Sequence, residues 1–134
     1  MPTIRFSNDD FLMGKLIKPG HYHALIRSIV TKPAKSDGSA VYNINLKVVE
    51  PGDFKGVPLT DYMSEKAIGI GGIRFIRACN NGNDPKPNEN YELNNGVGKV
   101  VKIHVSNGLY NGRPTNQVDD YDVADASFTN TDDE

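Results

Sequence analysis

The sequence of 134 residues is poor in several features that would define a class of protein. Cys79 is its only cysteine, so no disulfide can form within the chain and nothing indicates secretion. No apolar run approaches the roughly 20 residues that a membrane-spanning helix needs. The opening residues, MPTIRFSNDDF, lack the basic and apolar regions of a signal peptide. We therefore expect a soluble intracellular protein with one domain and, at 37% hydrophobic residues, a modest core.

Positive charge is missing from the end of the chain. Residues 1–118 contain 15 Lys and Arg and 10 Asp and Glu, a net charge of +5, whereas residues 119–134 contain seven acidic residues and no basic one. Block charges often mark interaction tails, although a solvated terminus has the same composition. We predict an acidic, flexible tail over residues 122–134, which would compete with a polyanion for a cationic groove. The tail residues that we expect to contact partner proteins are Asp132, Asp133 and Glu134.

Alternation of apolar and polar residues predicts three strands in the first half of the chain. Residues 20–31 are apolar on both faces, so we expect a long, bent strand with the even-numbered residues from Tyr22 to Val30 on one face. Residues 40–50 and 56–64 each have one clearly apolar face. Pro and Gly residues separate the strands, which is typical of a small antiparallel β domain.

A long hairpin is predicted over Gly98–Tyr121. The dipeptide Asn111-Gly112 suits the two positive-φ positions of a tight turn. Pairing across that turn places Val105 opposite Val118, so the apolar face continues from one strand to the other. The opposite face, which carries most of the basic residues of the hairpin, is therefore expected to face solvent.

Residues 68–80 are the best helical candidate. The face that we expect to be buried consists of Ile73, Ile76 and Cys79, which recur at helical spacing. Three glycines weaken the early part, so the helix is expected to begin near Gly72. Arg74 and Arg77 would lie on its solvated side.

The predicted order is three antiparallel strands, one helix and two strands. A five-stranded barrel with its helix between strands three and four is the OB-fold arrangement, in which a sheet face and loops bind oligonucleotides. A five-stranded sandwich with an additional helix is the alternative, and it explains the helix position less well. We therefore predict a mainly β protein with an OB-fold barrel over residues 1–121, in which residues 1–19 form an arm that packs on the domain.

Basic and aromatic residues fall on the loops and outward strand positions of this predicted barrel. Binding a single strand requires cations that follow the phosphates and flat rings that stack on unpaired bases. The predicted DNA-binding residues are Arg27, Lys32, Lys35, Lys47, Phe54, Lys55, Tyr62, Lys102, His104, Tyr110 and Arg113. Any one of them could instead be an ordinary solvated lysine or a ring that closes an end of the barrel. As a group they favour a nucleic-acid interface, because they converge on the same predicted surfaces.

Patterns that would indicate a metal site or an enzyme are weak. His21 and His23 place two imidazoles on one strand face, but no third and fourth ligands lie nearby in the sequence. Asp119, Asp120 and Asp122 could imitate a magnesium-binding cluster, yet they open the acidic tail and have no accompanying lysine motif. We therefore expect no catalytic residue, no cofactor and no bound metal.

Six segments, taken in order, carry a resemblance to a known family. They are KPGHYHALI (Lys18–Ile26), YNINLKVVE (Tyr42–Glu50), FKGVPLTDYMS (Phe54–Ser64), RFIRACN (Arg74–Asn80), GKVVKIHV (Gly98–Val105) and YNGRPTNQVDDY (Tyr110–Tyr121). Together they resemble the small phage-encoded single-stranded-DNA-binding proteins. The resemblance implies an OB fold, single-strand binding without sequence specificity, and an acidic tail that contacts replication or recombination proteins. The chain lacks the terminal proline-phenylalanine of bacterial homologues, since Phe128 is internal.

These observations predict a protein without enzymatic activity that binds and protects single-stranded DNA during phage DNA replication, recombination or repair. It would act in the cytoplasm of a bacterial host cell. Its expected partners are single-stranded DNA and replication or recombination proteins, with no membrane, and an exposed strand such as residues 40–50 could pair with a second copy. The alternative is a β-barrel protein-interaction module, such as an inhibitor of a host enzyme, that binds no nucleic acid.

Overall fold

The computed structural model describes residues 3–6, 15–33, 38–65, 68–110 and 112–125. Five strands form one antiparallel sheet with the spatial order β3-β2-β1-β4-β5. They are β1 (Gly20–Pro33), β2 (Ala40–Val48), β3 (Pro58–Ser64), β4 (Val100–Tyr110) and β5 (Arg113–Val123). Helix α1 (Gly69–Cys79) follows β3, and a short 3-10 helix (Leu93–Gly96) precedes β4. The prediction of a mainly β chain with a helix between the third and fourth strands is confirmed.

The sheet is not closed into the predicted barrel. Among the described residues β3 pairs only with β2, and β5 pairs only with β4, so these two strands are the edges of the sheet. The edges approach each other where the Tyr121 hydroxyl donates to Asp61 Oδ2 at 2.7 Å. A side-chain contact therefore bridges the two edges where a closed barrel would have a backbone ladder. Strand β2 was predicted to be an exposed strand that could pair with a second copy. It is instead paired on both sides, with β1 and with β3.

Strand β1 carries a bulge that explains why both of its faces looked apolar. Its pairing with β2 shifts between Ile26 and Ser28, so Arg27 is the extra residue. Ile26 is fully buried before the bulge, and Ile29 packs against the core after it. The inward positions thus change from even to odd numbers. The prediction that Ser28 and Val30 share the face of Ile26 was wrong, because a bulge cannot be read from strict alternation.

The core lies between the inward face of the sheet and α1. Its largest fully buried side chains are Phe75, Ile17, Ile26, Ile44, Leu46 and Ile103. The Phe75 ring meets the Tyr121 ring edge-on at 5.1 Å between centroids, which joins the helix to β5. A glycine also favours this packing. A Cβ at Gly96 would meet Cys79 Sγ at 2.9 Å, so only glycine lets the short 3-10 helix approach α1 so closely.

The buried face of α1 agrees with the predicted one only in part. Cys79 is buried and Ile76 packs against the core, as predicted, whereas Ile73 is exposed. The fully buried side also includes Gly72, Phe75 and Ala78. The helix begins at Gly69, three residues earlier than expected. Periodicity misplaced Ile73 because isoleucines occur on both sides of the helix, and the tertiary fit of the large Phe75 ring selects the buried side. Within the described residues, no helix is both long and apolar enough to cross a membrane.

The hairpin of β4 and β5 has the predicted register. Val105 lies opposite Val118, and Tyr110 lies opposite Arg113. Gly112 has a φ of 78°, a left-handed conformation that suits glycine in a hairpin turn. A second bulge, between His104 and Val105 on β4, leaves Asp119 as the extra residue on β5. The hairpin continues beyond the start of β1, since Gly20 pairs with Val105 and the tip lies five residues further along β4.

Residues 15–18 pack closely against the domain. The Ile17 side chain is 2% exposed and belongs to the core. Its backbone N–H donates to Asn116 Oδ1 at 3.0 Å, and Asn116 Nδ2 donates to the Lys15 carbonyl at 2.7 Å. Asn107 Nδ2 donates to the Ile17 carbonyl at 3.2 Å. Amide side chains of the hairpin thus supply hydrogen-bond partners for the backbone N–H and carbonyl groups of this segment, as a neighbouring strand would.

Replacing Ile17 with alanine tests whether this segment is structural. We expect a loss of about 2–5 kcal/mol in the free energy of unfolding, measured by urea denaturation, because the change leaves a cavity in the core. Leu16→Ala is the matched control, since the Leu16 side chain is 43% exposed. Equal destabilisation by both substitutions would contradict a core position for Ile17.

Candidate nucleic-acid interface

The outward side chains of β1, β2 and β3 form one continuous surface, which we call the β1–β3 face. It consists of Arg27, Ser28, Val30, Lys32, Val41, Asn43, Asn45, Lys47, Thr60, Tyr62 and Ser64. On β2 and β3 these residues alternate with buried ones such as Ile44, Leu46 and Leu59. Four of the predicted DNA-binding residues lie on this face or its bulge, namely Arg27, Lys32, Lys47 and Tyr62, and a fifth, Lys55, lies in the adjoining loop.

A row of hydrogen-bonded polar side chains crosses the middle of the β1–β3 face. Asn45 Nδ2 donates to Ser28 Oγ at 2.9 Å, and Thr60 Oγ1 donates to Asn45 Oδ1 at 3.0 Å. The row spans all three strands, because Ser28, Asn45 and Thr60 are direct cross-strand neighbours. These hydrogen bonds fix the three side chains in place, so the middle of the face is rigid and polar.

A tyrosine and a lysine lie on either side of this polar row. Tyr62 is the neighbour of Asn43 on the next strand, and its side chain is 67% exposed. Lys47 lies between Leu25 and Pro58, two residues along β2 from Asn45. The ring and the ammonium group are therefore on one surface, on opposite sides of the polar row. In such an arrangement a ring can stack on a base and an ammonium group can contact a phosphate.

Acidic side chains are kept off the β1–β3 face. The three strands contain one acidic residue, Asp61, and it points inward with Leu59 and Met63. Burial raises the pKa of the Asp61 carboxyl, and the hydrogen bond from Tyr121 opposes that rise. Burial likewise raises the pKa of the Tyr121 hydroxyl, and the nearby Asp61 charge adds to the effect. The outward positions of these three strands thus include basic residues and no acidic residue.

The outward surface of β4 and β5 has the opposite character. Lys102 Nζ lies 3.3 Å from Asp125 Oδ1, and His104 Nδ1 lies 2.6 Å from Asp119 Oδ1. Exposed pairs of this kind contribute about 0–1 kcal/mol to stability. Their effect on a ligand is larger in principle, because a carboxylate beside each cation repels phosphate. Lys102 and His104 remain predicted DNA-binding residues, but each already has an acidic partner.

The remaining predicted residues lie in loops or at strand ends. Phe54 is half-buried, with Tyr22 edge-on to its ring at 6.1 Å and Lys15 Nζ 5.7 Å from the ring centroid. Lys55 is exposed in the β2–β3 loop, and Arg113 is exposed beside the hairpin turn. Phe54 thus serves the packing of the N-terminal segment and has less ring surface to offer a base than Tyr62.

Three parts of the sequence prediction fall outside what the structure describes. Lys35 and the tail residues Asp132, Asp133 and Glu134 are outside the described residues, and the hairpin residue Tyr110 is described by its backbone only. The prediction that the flexible tail begins at residue 122 was wrong for the described part of the chain, because Asp122 and Val123 belong to β5 and Ala124 is buried.

His23 has a role in the structure that the sequence analysis did not predict. The side chain is buried, with Nδ1 2.7 Å from Glu50 Oε1 and with Nε2 accepting from the Asp125 backbone N–H at 3.0 Å. Both ring nitrogens are thus engaged, which fixes Asp125 over the outward side of β1 and β4. Among the described residues, no group of three or more His, Cys, Asp and Glu side chains is arranged to hold a metal ion.

The open seam of the sheet is a feature that the sequence did not predict. A cleft of about 420 Å³ lies between the edges of β3 and β5 and the start of α1. Its lining residues include Asp61, Tyr62, Met63, Ile68, Ile70, Arg74, Val118, Asp119, Asp120 and Tyr121. Arg74 NH1 bonds Asp120 Oδ1 at 3.1 Å across this cleft, so the arginine is not simply a solvated helix residue. We call this feature the β3–β5 cleft.

Comparison with known proteins adds no identification. No protein-family model matches the chain, and no curated protein matches it in sequence.

The raised pKa of Asp61 predicts a pH-dependent difference between the wild type and Asp61→Asn. A carboxyl whose pKa is higher in the folded than in the unfolded state destabilises the fold above its folded pKa, and this effect disappears as the pH falls below the unfolded pKa. Asparagine stays neutral and can still accept from the Tyr121 hydroxyl. We therefore expect Asp61→Asn to be more stable than the wild type at pH 7, with the gain shrinking towards pH 4.

Chemical denaturation at several pH values measures this difference. Asp84→Asn, at an exposed carboxylate paired with Arg77, is the control and should not reproduce the trend. A wild type that is more stable than Asp61→Asn at pH 7 would show that the charged form is the favoured one.

Proposed function

We propose that this protein binds single-stranded DNA on the β1–β3 face, largely without sequence specificity. The observation that carries the proposal is the separation of charge. The outward side of β1, β2 and β3 combines Arg27, Lys32 and Lys47 with the exposed ring of Tyr62 and has no acidic side chain. Cations that follow phosphates and a ring that stacks on any base suit an unpaired strand.

The strand order supports the finer assignment to the OB fold. The order β3-β2-β1-β4-β5, with a helix between β3 and β4 and with Asp61 of β3 meeting Tyr121 of β5, is compatible with a partly open five-stranded OB barrel. In that fold the face of strands two and three binds oligonucleotides, together with the loops after strands one and four. Lys32 and Arg113 lie at those two loops, and Lys47 and Tyr62 lie on that face.

The shape of this face favours a single strand over a duplex. A duplex presents its bases in a groove that admits a helix or a β-ribbon, whereas the β1–β3 face is a sheet surface with a flat ring and short amide and hydroxyl groups. Unpaired bases can lie flat on such a surface, with each stacked base contributing about 1–3 kcal/mol. The resemblance to phage single-stranded-DNA-binding proteins adds the setting: protection of unpaired strands in phage replication, recombination or repair within a bacterial host cell, without catalysis.

Titration of labelled oligonucleotides across a salt series tests the proposed face. Lys47→Gln should reduce the magnitude of the slope of log affinity against log salt by about 0.7, because one phosphate contact is lost. Tyr62→Ala should weaken binding by roughly 5-fold to 150-fold with little change in slope, because stacking is lost.

Lys102→Gln is the matched control, since the same side chain on β4 already pairs with Asp125. It should change affinity and slope less than Lys47→Gln does. A wild-type slope near zero would rule out phosphate-driven binding. Absence of any binding at low salt would favour the alternative, a β protein that binds another protein.

The acidic tail is proposed to compete with DNA for the same face. Asp125 is held by His23 and Lys102 on the outward side of β1 and β4. Strand β1 also pairs with β2, the strand that carries Lys47. A tethered anionic segment that starts there has a high effective concentration over the cationic face. When DNA displaces the tail, it becomes available to replication or recombination proteins.

Deletion of residues 126–134 tests this competition. We expect the truncated chain to bind single strands several-fold more tightly at low salt, with the difference vanishing at high salt, because screening removes the competition. A variant with the three terminal acids replaced by Asn and Gln should behave like the deletion. Unchanged low-salt affinity in both variants would contradict the competition.

A further inference from the structure

Apolar side chains are exposed around the β3–β5 cleft. Ile70 is 67% exposed at the start of α1, and Ile68 and Tyr62 are also exposed beside it. Larger apolar patches on a soluble protein generally mark a surface that another chain covers. The cleft lies where the sheet is open, so its two long walls are strand edges rather than closed faces.

The edges of β3 and β5 make the cleft suitable for an extended segment. Each of the two strands has one paired side, towards β2 and β4 respectively, and the other side has no ladder partner among the described residues. Strand edges of this kind accept an added chain through backbone hydrogen bonds, while neighbouring pockets take alternate side chains. An occupant with two apolar residues separated by one residue would match this geometry.

The N-terminal segment Thr3–Phe6 has this pattern. Ile4 and Phe6 alternate with Arg5, which puts both apolar side chains on one side of an extended chain. Ile4 is 80% exposed while Ile70 is 67% exposed, so the segment and the cleft do not bury each other within one chain. Eight residues separate Phe6 from Lys15, which is fixed on the hairpin, and a linker of that length can span up to about 30 Å.

The charges of the segment and the cleft are complementary. The cleft is lined by three carboxyl groups, those of Asp61, Asp119 and Asp120, and by one guanidinium, that of Arg74. Asp120 pairs with this guanidinium, and Asp119 Oδ1 lies 2.6 Å from His104 Nδ1, so the carboxyl groups still outnumber the lining cation. The segment Thr3–Phe6 carries a single charge, the Arg5 guanidinium. A basic residue between two apolar ones therefore meets an acidic rim around an apolar groove.

We propose that residues Thr3–Phe6 of one copy of this chain lie in the β3–β5 cleft of a second copy. Ile4 and Phe6 cover Ile68 and Ile70, and Arg5 faces Asp119 and Asp120. A reciprocal exchange about a two-fold axis gives a closed dimer, since each copy supplies one segment and one cleft. The exchange does not require DNA, so it is independent of the function proposed above.

Sedimentation equilibrium of the full chain without DNA tests the exchange. We expect a dimer at micromolar concentration. Ile4→Asp in the segment and Ile70→Asp in the cleft should each raise the dimer dissociation constant at least tenfold, because each places a carboxylate in an apolar, acidic contact. Leu109→Asp is the matched control, since Leu109 is 71% exposed at the distant hairpin tip and should leave the mass unchanged. A full chain that is monomeric throughout this range would overturn the proposal, as would a dimer that neither substitution weakens.

Disulfide trapping identifies which copy supplies the segment. One chain carries Ile4→Cys, and a second chain with a larger tag carries Ile70→Cys; oxidation of the mixture should join chains of different size. Cys79 stays inert because burial raises the pKa of its thiol to about 11. A pair of Ile4→Cys and Leu109→Cys chains is the control. Failure to trap the mixed pair above that control would contradict the exchange. So would a chain carrying both Ile4→Cys and Ile70→Cys that closes only on itself.

Discussion

The bulge at Arg27 is the constraint on which the sheet depends. Strand β1 pairs with β4 over Gly20–Leu25 and with β2 over Ala24–Pro33, so it serves the two halves of the sheet in succession. One extra residue bends the strand and reverses its inward side. Ile26 before the bulge and Ile29 after it can then face the same core. Without the bulge, strict alternation would turn Ser28 towards the core and Ile29 towards solvent.

This bend also separates the outward surface into two parts of different charge. On β1, β2 and β3 the outward cations have no carboxylate among their strand neighbours, because Asp61 is turned into the interior. On β4 and β5 the outward cations are matched by Asp119 and Asp125. The outward strand positions of β1, β2 and β3 therefore carry basic residues and no acidic one, whereas the cations of β4 and β5 are paired with carboxylates. Under the proposed function, a strand of DNA follows the first surface and the tail is anchored on the second.

The gap between β3 and β5 has two consequences for the molecule. It is bridged by the Tyr121–Asp61 hydrogen bond, which comes with the energetic cost of a partly buried carboxyl. It also leaves two strand edges next to exposed isoleucines of α1. Natural sheets usually protect such edges, so an unprotected seam is a place where a second chain is expected. Nucleic-acid binding and self-association would then use neighbouring surfaces, with Tyr62 at their border.

The sequence by itself determined the elements of this protein and their order. Alternation of apolar residues located five strands, and the Asn-Gly turn set the hairpin register that places Val105 opposite Val118, because both signals are local. The tertiary structure decided what depends on distant residues. It selected Phe75 over Ile73 for the buried side of α1, gave Lys102 and His104 acidic partners, and made His23 the anchor of Asp125. It also left one edge of β3 and one edge of β5 without a ladder partner among the described residues. None of these follows from spacing along the chain, since each is settled by which side chains meet when the bent sheet brings its two edges together.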